Sequence, residues 1–418
     1  MSDVQHQGWG ALQGVRVIDL TRMLSGPFCT MLLADQGAEV IKVESMDGDT
    51  SRGHGPYRKD DPERLFGGYF QSVNRNKKSI VLNLKDEGSR DVLRKLVATA
   101  DVLVENYRSG VMERLGLGYE ELRTLNPRLV YAAIRGFGDP RSGHSPYDGW
   151  PAYDVVAQAM GGLIGITGPG DNEHVKIGPG VGDIFPGTLA TVGILSALYR
   201  AVRTGRGQFV DVAMYDAILA LCERIVYQYS FGGVVPRPEG SKHPFFCPFG
   251  LYEAADGWVT IACPNDGFWT KLAHTMGYPE LATDPRTQFK VDRARHAAFV
   301  NEVVGTWTRQ HTKAELQSKL GGTVPFGPVH TVAEIFADPH VRARGMLAEV
   351  EHPGSTAPSI VAGTPVRLSE TPGGVHKRAP YFGEHTLDIL QELGYHPDTI
   401  SALLSRNAAR SHSLPQPG

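Results

Sequence analysis

The chain has 418 residues, a length that predicts two domains or one large elaborated domain. Hydrophobic residues make up 41% of the sequence and charged residues 21%, which is the balance of an ordinary soluble globular protein. The net charge of −3 provides no general attraction to nucleic acid or to an anionic membrane, so any polyanionic ligand requires a local basic patch.

The cysteines and the N-terminal residues indicate the cellular compartment. Four widely spaced cysteines form no Cys-x-x-Cys pair, which argues against a structural zinc site and favours a reducing environment. The N-terminal residues lack the apolar core of a signal peptide, and no run of about 18 apolar residues predicts a membrane span. We therefore expect a cytoplasmic protein without a metal site and without a nucleic-acid or membrane partner.

The first half of the chain alternates predicted strands with predicted helices. Runs of β-branched and apolar residues predict strands at 15–20, 39–44, 79–84, 102–105 and 129–134. Parallel strands need crossover helices of the length found between these runs, so the pattern predicts a doubly wound parallel sheet. The turn after the first strand contains one glycine instead of the three of a dinucleotide fingerprint, so a dinucleotide site is not predicted.

The pattern changes in the second half. A strong amphipathic helix is predicted from Pro186 to about Thr204, since proline is favoured in a first helical turn. After it come a Gly/Pro-rich segment, a predicted strand and two amphipathic helices, which together predict a smaller α+β domain. We place this small domain at 226–335 and the large domain at 1–225 together with 336–418.

Asp183 is the most informative single residue. It lies among glycines in the segment GPGVGDIFPG, directly before the predicted helix at Pro186. Small neighbours favour close approach of a substrate, and a helix N-terminus favours the ionised, nucleophilic carboxylate. An aspartate at this place is also a common helix N-cap, so the residues alone leave both a catalytic and a capping role open.

Basic and aromatic residues cluster at the predicted strand ends. Arg75 and Lys77 lie in the run NRNKK, in a loop that leads into a strand, where phosphates bind through amides and charged side chains. Asn106 and Tyr107 follow a strand at the edge where open α/β sheets bind ligands, and a tyrosine ring can stack on a base. The alternatives are a solvated charge run and a core aromatic.

Taken in order, these segments resemble the family III CoA-transferases, the group that contains the formyl-CoA, carnitine and succinate–hydroxymethylglutarate CoA-transferases. The resemblance covers nearly the whole chain and includes GVRVIDLTRMLSGPF, SVNRNKKSIVLNLK, DVLVENYRSGVMERLG, GDIFPG, TGRGQ and GEHT. It implies a Rossmann-like large domain with an inserted small α+β domain, in an interlocked homodimer. It also implies that a CoA thioester enters as substrate, with no permanently bound cofactor.

The resemblance assigns roles to individual positions. Asp183 matches the aspartate that carries the acyl group through anhydride and aspartyl-CoA thioester intermediates. The implied CoA contacts are Met23, Leu24, Ser25, Arg75, Lys77, Asn106, Tyr107, Arg114 and Arg135.

Two departures from the family pattern matter. Ser45 replaces the arginine that formyl-CoA transferases often have after the second strand, which shifts the expected phosphate contacts to Arg75, Lys77 and Arg114, or to Arg52. Lys242 and His243 occupy the region of the glycine-rich lid of formyl-CoA transferases. They either supply charge to an acceptor carboxylate or are exposed loop residues.

The expected function is transfer of CoA from succinyl-CoA or a similar acyl-CoA to a small carboxylate, and the resemblance to the succinate–hydroxymethylglutarate branch favours a dicarboxylic acid. An α-methylacyl-CoA racemase shares the fold but uses a His–Asp pair as two bases. Here Tyr153 occupies the expected histidine position before Asp154, and tyrosine is a poor base at neutral pH. A non-catalytic CoA-binding protein is disfavoured by the intact Asp183.

Overall fold

The computed structural model describes residues 9–61, 64, 66–170 and 173–412. Its strands are β1 Arg16–Asp19, β2 Glu39–Glu44, β3 Lys78–Leu82, β4 Val102–Glu105, β5 Val130–Arg135, β6 Phe209–Ala213, β7 Phe249–Ala254, β8 Gly257–Ala262, β9 Phe326–Pro328, β10 Leu347–Val350, β11 Ser359–Ala362 and β12 Ala409–Arg410. Its helices are α1 Ser25–Asp35, α2 Gly68–Asn74, α3 Glu87–Ala98, α4 Val111–Arg114, α5 Tyr119–Leu125, α6 Asp154–Met160, α7 Val181–Thr204, α8 Met214–Leu221, α9 Glu223–Gly232, α10 Asp266–Met276, α11 Lys290–Arg295, α12 Ala297–Thr308, α13 Lys313–Leu320, α14 Val332–Ala337, α15 Pro339–Ala343, α16 Thr386–Glu392 and α17 Pro397–Ser405.

The described residues form two compact units. The first lies within Met1–Leu163, Ile177–Tyr227 and Arg342–Gly418, and the second within Ile164–Lys176 and Gln228–Val341. The sequence pattern places 164–176 and 336–341 in the large domain and 226–227 in the small domain. The structure assigns 164–176 and 336–341 to the second unit and 226–227 to the first. In the second unit, Gly240 donates a backbone hydrogen bond to the Gly168 carbonyl at 2.9 Å.

The first unit is built on a seven-stranded sheet in the order β12-β3-β2-β1-β4-β5-β6. All pairings among β1 to β6 are parallel, and β12 is antiparallel to β3 at the edge. The parallel sheet predicted from the sequence is therefore confirmed. Strands β1 to β5 are largely buried because helices cover the sheet, and most of their side chains are apolar, whereas β6 and β12 are only partly buried. The pair β10–β11 is antiparallel and separate from this sheet.

Helix α7 begins earlier than predicted. It starts at Val181, so Asp183 lies in its first turn and Pro186 lies inside the helix. The helix ends at Gly205, whose φ of 69° is the left-handed conformation that glycine favours after a helix. By length and composition α7 is also the one helix of the described residues that could cross a membrane. Because it packs against helices α1, α6 and α8 and strands β5 and β6, we interpret it as a core helix.

The second unit has its own apolar core. Strands β7, β8 and β9 form an antiparallel sheet, in which a short turn joins β7 to β8, whereas helices α10 to α13 separate β8 from β9 along the chain. Helices α10, α12 and α13 supply buried side chains to the core, with Trp269 and Val300 completely buried. Helix α13 begins with a capping box between Thr312 and Glu315, in which each side chain binds a backbone amide of the other residue.

Candidate active site

A cavity of about 420 Å³ opens at the carboxyl ends of β1, β4 and β5, the edge where open α/β sheets bind ligands. The first turn of α7 contributes Asp183 to its wall, and the segment before α6 contributes Tyr153. All of the lining residues belong to the first unit. The structure brings together in this lining the predicted residues Met23, Leu24, Ser25, Asn106, Tyr107, Arg135 and Asp183.

Side-chain hydrogen bonds fix the turn after β1. The Asn106 side chain accepts from the Arg22 amide and donates to the Arg22 carbonyl, both at 2.9 Å. The Asp49 carboxylate accepts from the Met23 amide at 3.2 Å and forms a buried ion pair with Lys42 at 2.9 Å. Met23 has a left-handed φ of 66°, which is unfavourable for a residue with a side chain. These bonds hold the strained turn in a single shape beside Asp183.

The carboxyl group of Asp183 has a raised pKa. Burial and, to a smaller extent, the negative charge of Asp154 together raise this pKa to about 7. Within the described residues the Asp183 carboxylate receives no hydrogen bond and no ion pair. The expectation that the helix N-terminus keeps this group readily ionised is therefore wrong, because burial and like charge outweigh the helix dipole.

The structure also decides whether Asp183 is the N-cap of α7. The N-cap position of α7 is Gly180, and the Asp183 side chain does not cap the helix. The Asp154 carboxylate does so instead, accepting from the Gly182 amide at 2.8 Å. Asp183 is therefore not a helix-capping residue.

Two of the glycines around Asp183 are required by packing inside the protein. A Cβ at Gly182 would lie 2.4 Å from the Asp154 carbonyl oxygen, and one at Gly187 would lie 2.4 Å from the Ser25 carbonyl oxygen. Both distances are too short for real contacts, so these positions require glycine. At these two positions the missing side chain makes room for protein backbone, whereas a Cβ at Gly178 would meet no atom within 4 Å, so close approach of a substrate beside small residues stays a prediction.

The sequence of this chain is similar to known proteins over most of its length. The sequence model of CoA-transferase family III matches residues 12–386. This chain belongs to CoA-transferase family III. A succinyl-CoA:mesaconate CoA-transferase of Haloarcula marismortui is 47% identical over 388 residues, covering 92% of this chain and 97% of the relative. A succinate–glutarate CoA-transferase of Agrobacterium fabrum is 38% identical over 387 residues, covering 91% and 95%.

A solved structure shares the fold of this CoA-transferase. A CAIB/BAIF family protein from Brucella suis aligns with a TM-score of 0.82 and 37% identity, covering 92% of this chain and 100% of that one. The expectation of an enzyme of the CoA-transferase class, acting on CoA thioesters, is thereby confirmed. The racemase alternative is not favoured by these relatives.

Two of the predicted cations do not reach the cavity of this CoA-transferase. Arg75 forms a two-pronged ion pair with Asp35, at 3.1 and 2.6 Å. Lys77 is completely buried and bonds to Asp19 at 3.0 Å and to Asn74 at 2.8 Å. The predicted phosphate contacts through these side chains are corrected, because both cations are bound within the protein.

Two other predicted cations are also paired. Arg135 reaches the cavity wall, but its guanidinium bonds to Glu105 at 2.6 Å and to Asp139. Arg52, the suggested substitute for the missing arginine at position 45, bonds to Glu44 through two nitrogens at 2.8 and 2.7 Å.

A second cavity of about 490 Å³ lies beside the first and shares Arg22 and Tyr107 with it. The predicted residue Arg114 lines this cavity, together with Ser45 and Lys85. The sequence reasoning missed Arg22 and Lys85 as site residues. Their place in the sequence could have indicated them, because each cation follows the carboxyl end of a parallel strand by three residues.

Tyr69 is another residue that the sequence reasoning missed. It lies on α2, and its pKa is raised to about 12 by burial and by the negative charges of Asp183, Asp49 and Asp154. The phenol therefore stays protonated at neutral pH, close enough to Asp183 to sense its charge. No sequence pattern marks it, because a tyrosine in an apolar helical turn resembles a core residue.

Lys242 and His243 lie in the second unit. The Lys242 ammonium group donates to the Leu251 carbonyl and lies 3.1 Å from the centre of the Tyr252 ring. Burial lowers the pKa of Lys242 to about 8. The His243 ring packs against an aromatic side chain, Phe246, at 4.7 Å. Lys242 is thus anchored to strand β7, and the predicted contact of both residues with an acceptor carboxylate stays a prediction.

The possible metal ligands among the described residues are the histidine, cysteine, aspartate and glutamate side chains. Among the residues that the structure describes, no group of three His, Cys, Asp or Glu side chains is arranged to hold a metal ion. The four cysteines are buried and unbridged.

Proposed function

We propose that this enzyme transfers CoA from succinyl-CoA to a small dicarboxylic acid, with Asp183 as the covalent acyl carrier. One observation supports the proposal above the others: the partly buried Asp183 carboxylate, with a pKa raised to about 7, lines a cavity at the ligand-binding edge of the sheet and receives no hydrogen bond from the described residues. Such a group is available to a substrate and is a stronger nucleophile, once ionised, than an ordinary carboxylate.

The proposed reaction begins at the thioester. An Asp183 oxygen attacks the succinyl carbonyl, the C–S bond breaks, and CoA leaves as a thiolate beside a mixed anhydride. The thiolate then attacks the aspartyl carbonyl, which releases succinate and forms an aspartyl-CoA thioester. These steps keep the thioester energy in covalent form, so no ATP is needed, provided that water is excluded.

The second half of the reaction reverses these steps with the acceptor acid. The acceptor carboxylate attacks the aspartyl thioester, forming a new anhydride and CoA thiolate. The thiolate attacks the acceptor acyl carbon, which releases the new acyl-CoA and restores the Asp183 carboxylate. The neutral Tyr69 phenol can donate a hydrogen bond to an oxygen that becomes negative in these steps.

Relatives and cavity charges support a dicarboxylate as acceptor. The named relatives act on mesaconate, glutarate and D-citramalate, with succinyl-CoA or succinate as the other partner. Arg22 and Arg108 line the cavity that contains Asp183. A carboxylate remote from the reacting one is well matched to a guanidinium in such a cavity.

The second cavity suggests where the nucleotide end of CoA binds. Arg22, Lys85 and Arg114 give its wall three cations, and the Tyr107 ring lies between the two cavities. Phosphates bind well to such clusters at strand ends, and an adenine can stack on a tyrosine ring. These residues take the place of Arg75 and Lys77 in the proposed CoA site.

The exposed face of α7 supports a homodimer. Val192, Leu195, Tyr199 and Val202 recur at helical spacing and are exposed to solvent in the single chain. An apolar stripe of this length is usually covered by another protein surface. We propose that a second copy covers this stripe in an interlocked homodimer, and that the enzyme works in the cytoplasm. Light scattering of the purified protein tests the dimer, because it measures the mass of the particle in solution.

Trapping of the acyl enzyme tests the proposed function. The protein is mixed with succinyl-CoA, quenched with hydroxylamine or borohydride, digested and analysed by mass spectrometry. We expect a modification on Asp183 in the wild type and transfer of CoA to a dicarboxylic acid among a panel of small acids. An unmodified Asp183 during active transfer would contradict the mechanism. Exchange of an α-hydrogen with deuterated water in place of transfer would favour the racemase.

A further inference from the structure

Asp154 connects helix α6 to the helix that carries Asp183. Its Oδ1 atom accepts hydrogen bonds from the Gly182 amide and from the Gln158 side chain, each at 2.8 Å. Gln158 is completely buried and accepts in turn from the Ile177 amide at 3.2 Å. The start of α7 is therefore held by a carboxylate that a buried side chain orients from behind.

The backbone on both sides of this bond is closely packed. The Asp154 carbonyl oxygen would lie 2.4 Å from a Cβ at Gly182. Asp183 follows directly, so a movement of Asp154 displaces the nucleophile. Displacements of about 1 Å are enough to lower the rate of a reaction that depends on alignment by roughly 100-fold.

We propose that Asp154 is a positioning residue for Asp183: its carboxylate fixes the first turn of α7, and its negative charge controls when Asp183 becomes an ionised nucleophile. This inference rests on the proposed acyl-carrying function of Asp183. It adds a second acidic residue to the site, with a task distinct from covalent catalysis.

The charges around Asp183 agree with this assignment. The elements packed against α7, together with α2, carry these titratable and charged groups: Cys29 and Asp35 on α1, Tyr69 on α2, Asp154 on α6, Tyr131 and Arg135 on β5, Asp211 on β6, and Tyr215 and Asp216 on α8. The cavity wall adds Arg22, Tyr107, Arg108, Asp148 and Tyr153. Of all these groups, Asp154 is the one whose charge raises the pKa of Asp183, in second place after burial.

Three substitutions separate the two tasks of Asp154. Asp154→Asn keeps an oxygen that can accept from the Gly182 amide but removes the charge. Asp154→Glu keeps the charge but displaces the acceptor by one methylene group. Asp154→Ala removes both, and leaves the Gly182 amide at the helix start without its partner.

The test is the pH dependence of the first half-reaction. Single-turnover formation of the Asp183 adduct from succinyl-CoA is measured between about pH 5 and about pH 9 in the full-length enzyme. For Asp154→Asn we expect the midpoint of the rate profile to fall by on the order of one pH unit, because a like charge has been removed. A loss of local structure alone would lower the rate without moving the midpoint.

The other variants check the assignment. Asp154→Glu should keep the midpoint near the wild-type value with a lower plateau, and Asp154→Ala should lower the midpoint and reduce the plateau roughly tenfold or more. The matched control is Asp398→Asn, which removes a charge from an exposed side chain on α17 outside the cavity. It should change neither quantity.

Two outcomes would overturn different statements. The inference about Asp154 is overturned if the adduct forms on Asp183 in every variant and the midpoint of Asp154→Asn equals that of the wild type. That result leaves the proposed function standing. No adduct in the wild type overturns the proposed function. If Asp154→Asn fails to fold, the Asp154→Glu profile decides, since a midpoint well below the wild-type value in that variant contradicts control by charge.

Discussion

Asp19 is completely buried and Asp183 is partly buried near the same edge of the sheet, and their pKa values move in opposite directions. Burial acts to raise the pKa of Asp19, but the charges of Lys77 and Lys42 and hydrogen bonds from two threonines lower it overall. Burial raises the pKa of Asp183 to about 7, and the nearby charge of Asp154 acts in the same direction. The difference lies in the partners that the fold supplies.

The comparison extends to the regions around the two residues. Behind the strand ends, Lys42, Lys77 and Arg75 are each bound to a carboxylate, so that layer is a rigid scaffold for the turn that lines the cavity. In the first turn of α7, the described residues leave the Asp183 carboxylate without a hydrogen bond. Buried charge is therefore satisfied where it supports the structure and left available where chemistry is proposed.

Removal of the available carboxylate should have the largest effect. Asp183→Asn keeps the size of the side chain but cannot form the acyl anhydride, so we expect kcat for CoA transfer to fall by roughly 1,000-fold or more. Binding of CoA, measured by calorimetry, should change by no more than a few-fold, since the cations near the second cavity remain. Transfer within tenfold of wild type would show that Asp183 is not the acyl carrier.

Removal of a paired cation should affect stability instead. Lys77→Met leaves Asp19 buried without its closest cation, and we expect a loss of about 3–5 kcal/mol in the free energy of unfolding by urea. The neighbouring Lys78 is a matched control, since it is partly exposed and pairs with Glu39 at the protein surface. Lys78→Met should cost about 0–1 kcal/mol. Equal losses for the two variants would contradict the contrast between buried and exposed pairs.

The two carboxylates should also be separated by the pH dependence of stability. Because the folded-state pKa of Asp183 is raised, the folded protein loses stability relative to the unfolded chain as the pH rises from about 4 to about 7. Asp183→Asn removes this loss. The free energy of unfolding of Asp183→Asn minus that of the wild type should therefore become about 2 kcal/mol more positive as the pH rises from about 5.5 to about 8.5. A difference that is independent of pH would mean that Asp183 has an ordinary pKa in the folded state.

The parallel sheet was predictable because its strands are buried on both faces. The runs at 39–44 and 102–105 match β2 and β4, since continuous apolar and β-branched residues mark such strands. The start of α7 was not predictable, because Pro186 is a common first-turn residue and the cap that extends the helix comes from a residue on another helix, Asp154. Long-range capping leaves no trace in the local pattern.

The site was predictable to the extent that it follows strand ends. Met23, Asn106 and Tyr107 come after parallel strands, so topology alone places them at one edge of the sheet. The burial of Arg75 and Lys77 was not predictable. Their carboxylate partners lie 40 and 58 residues away in the sequence, where no spacing rule connects them.

The smallest effect tests the packing that brings the two acidic residues of the site together. In Gly182→Ala the new methyl group would lie 2.4 Å from the Asp154 carbonyl oxygen, so the start of α7 must shift. We expect a loss of about 1–2 kcal/mol in the free energy of unfolding, together with slower formation of the Asp183 adduct. Gly178→Ala is the matched control, because a methyl group there meets no atom within 4 Å. If both variants retain wild-type stability and rate, the close contact between α6 and α7 does not position the nucleophile.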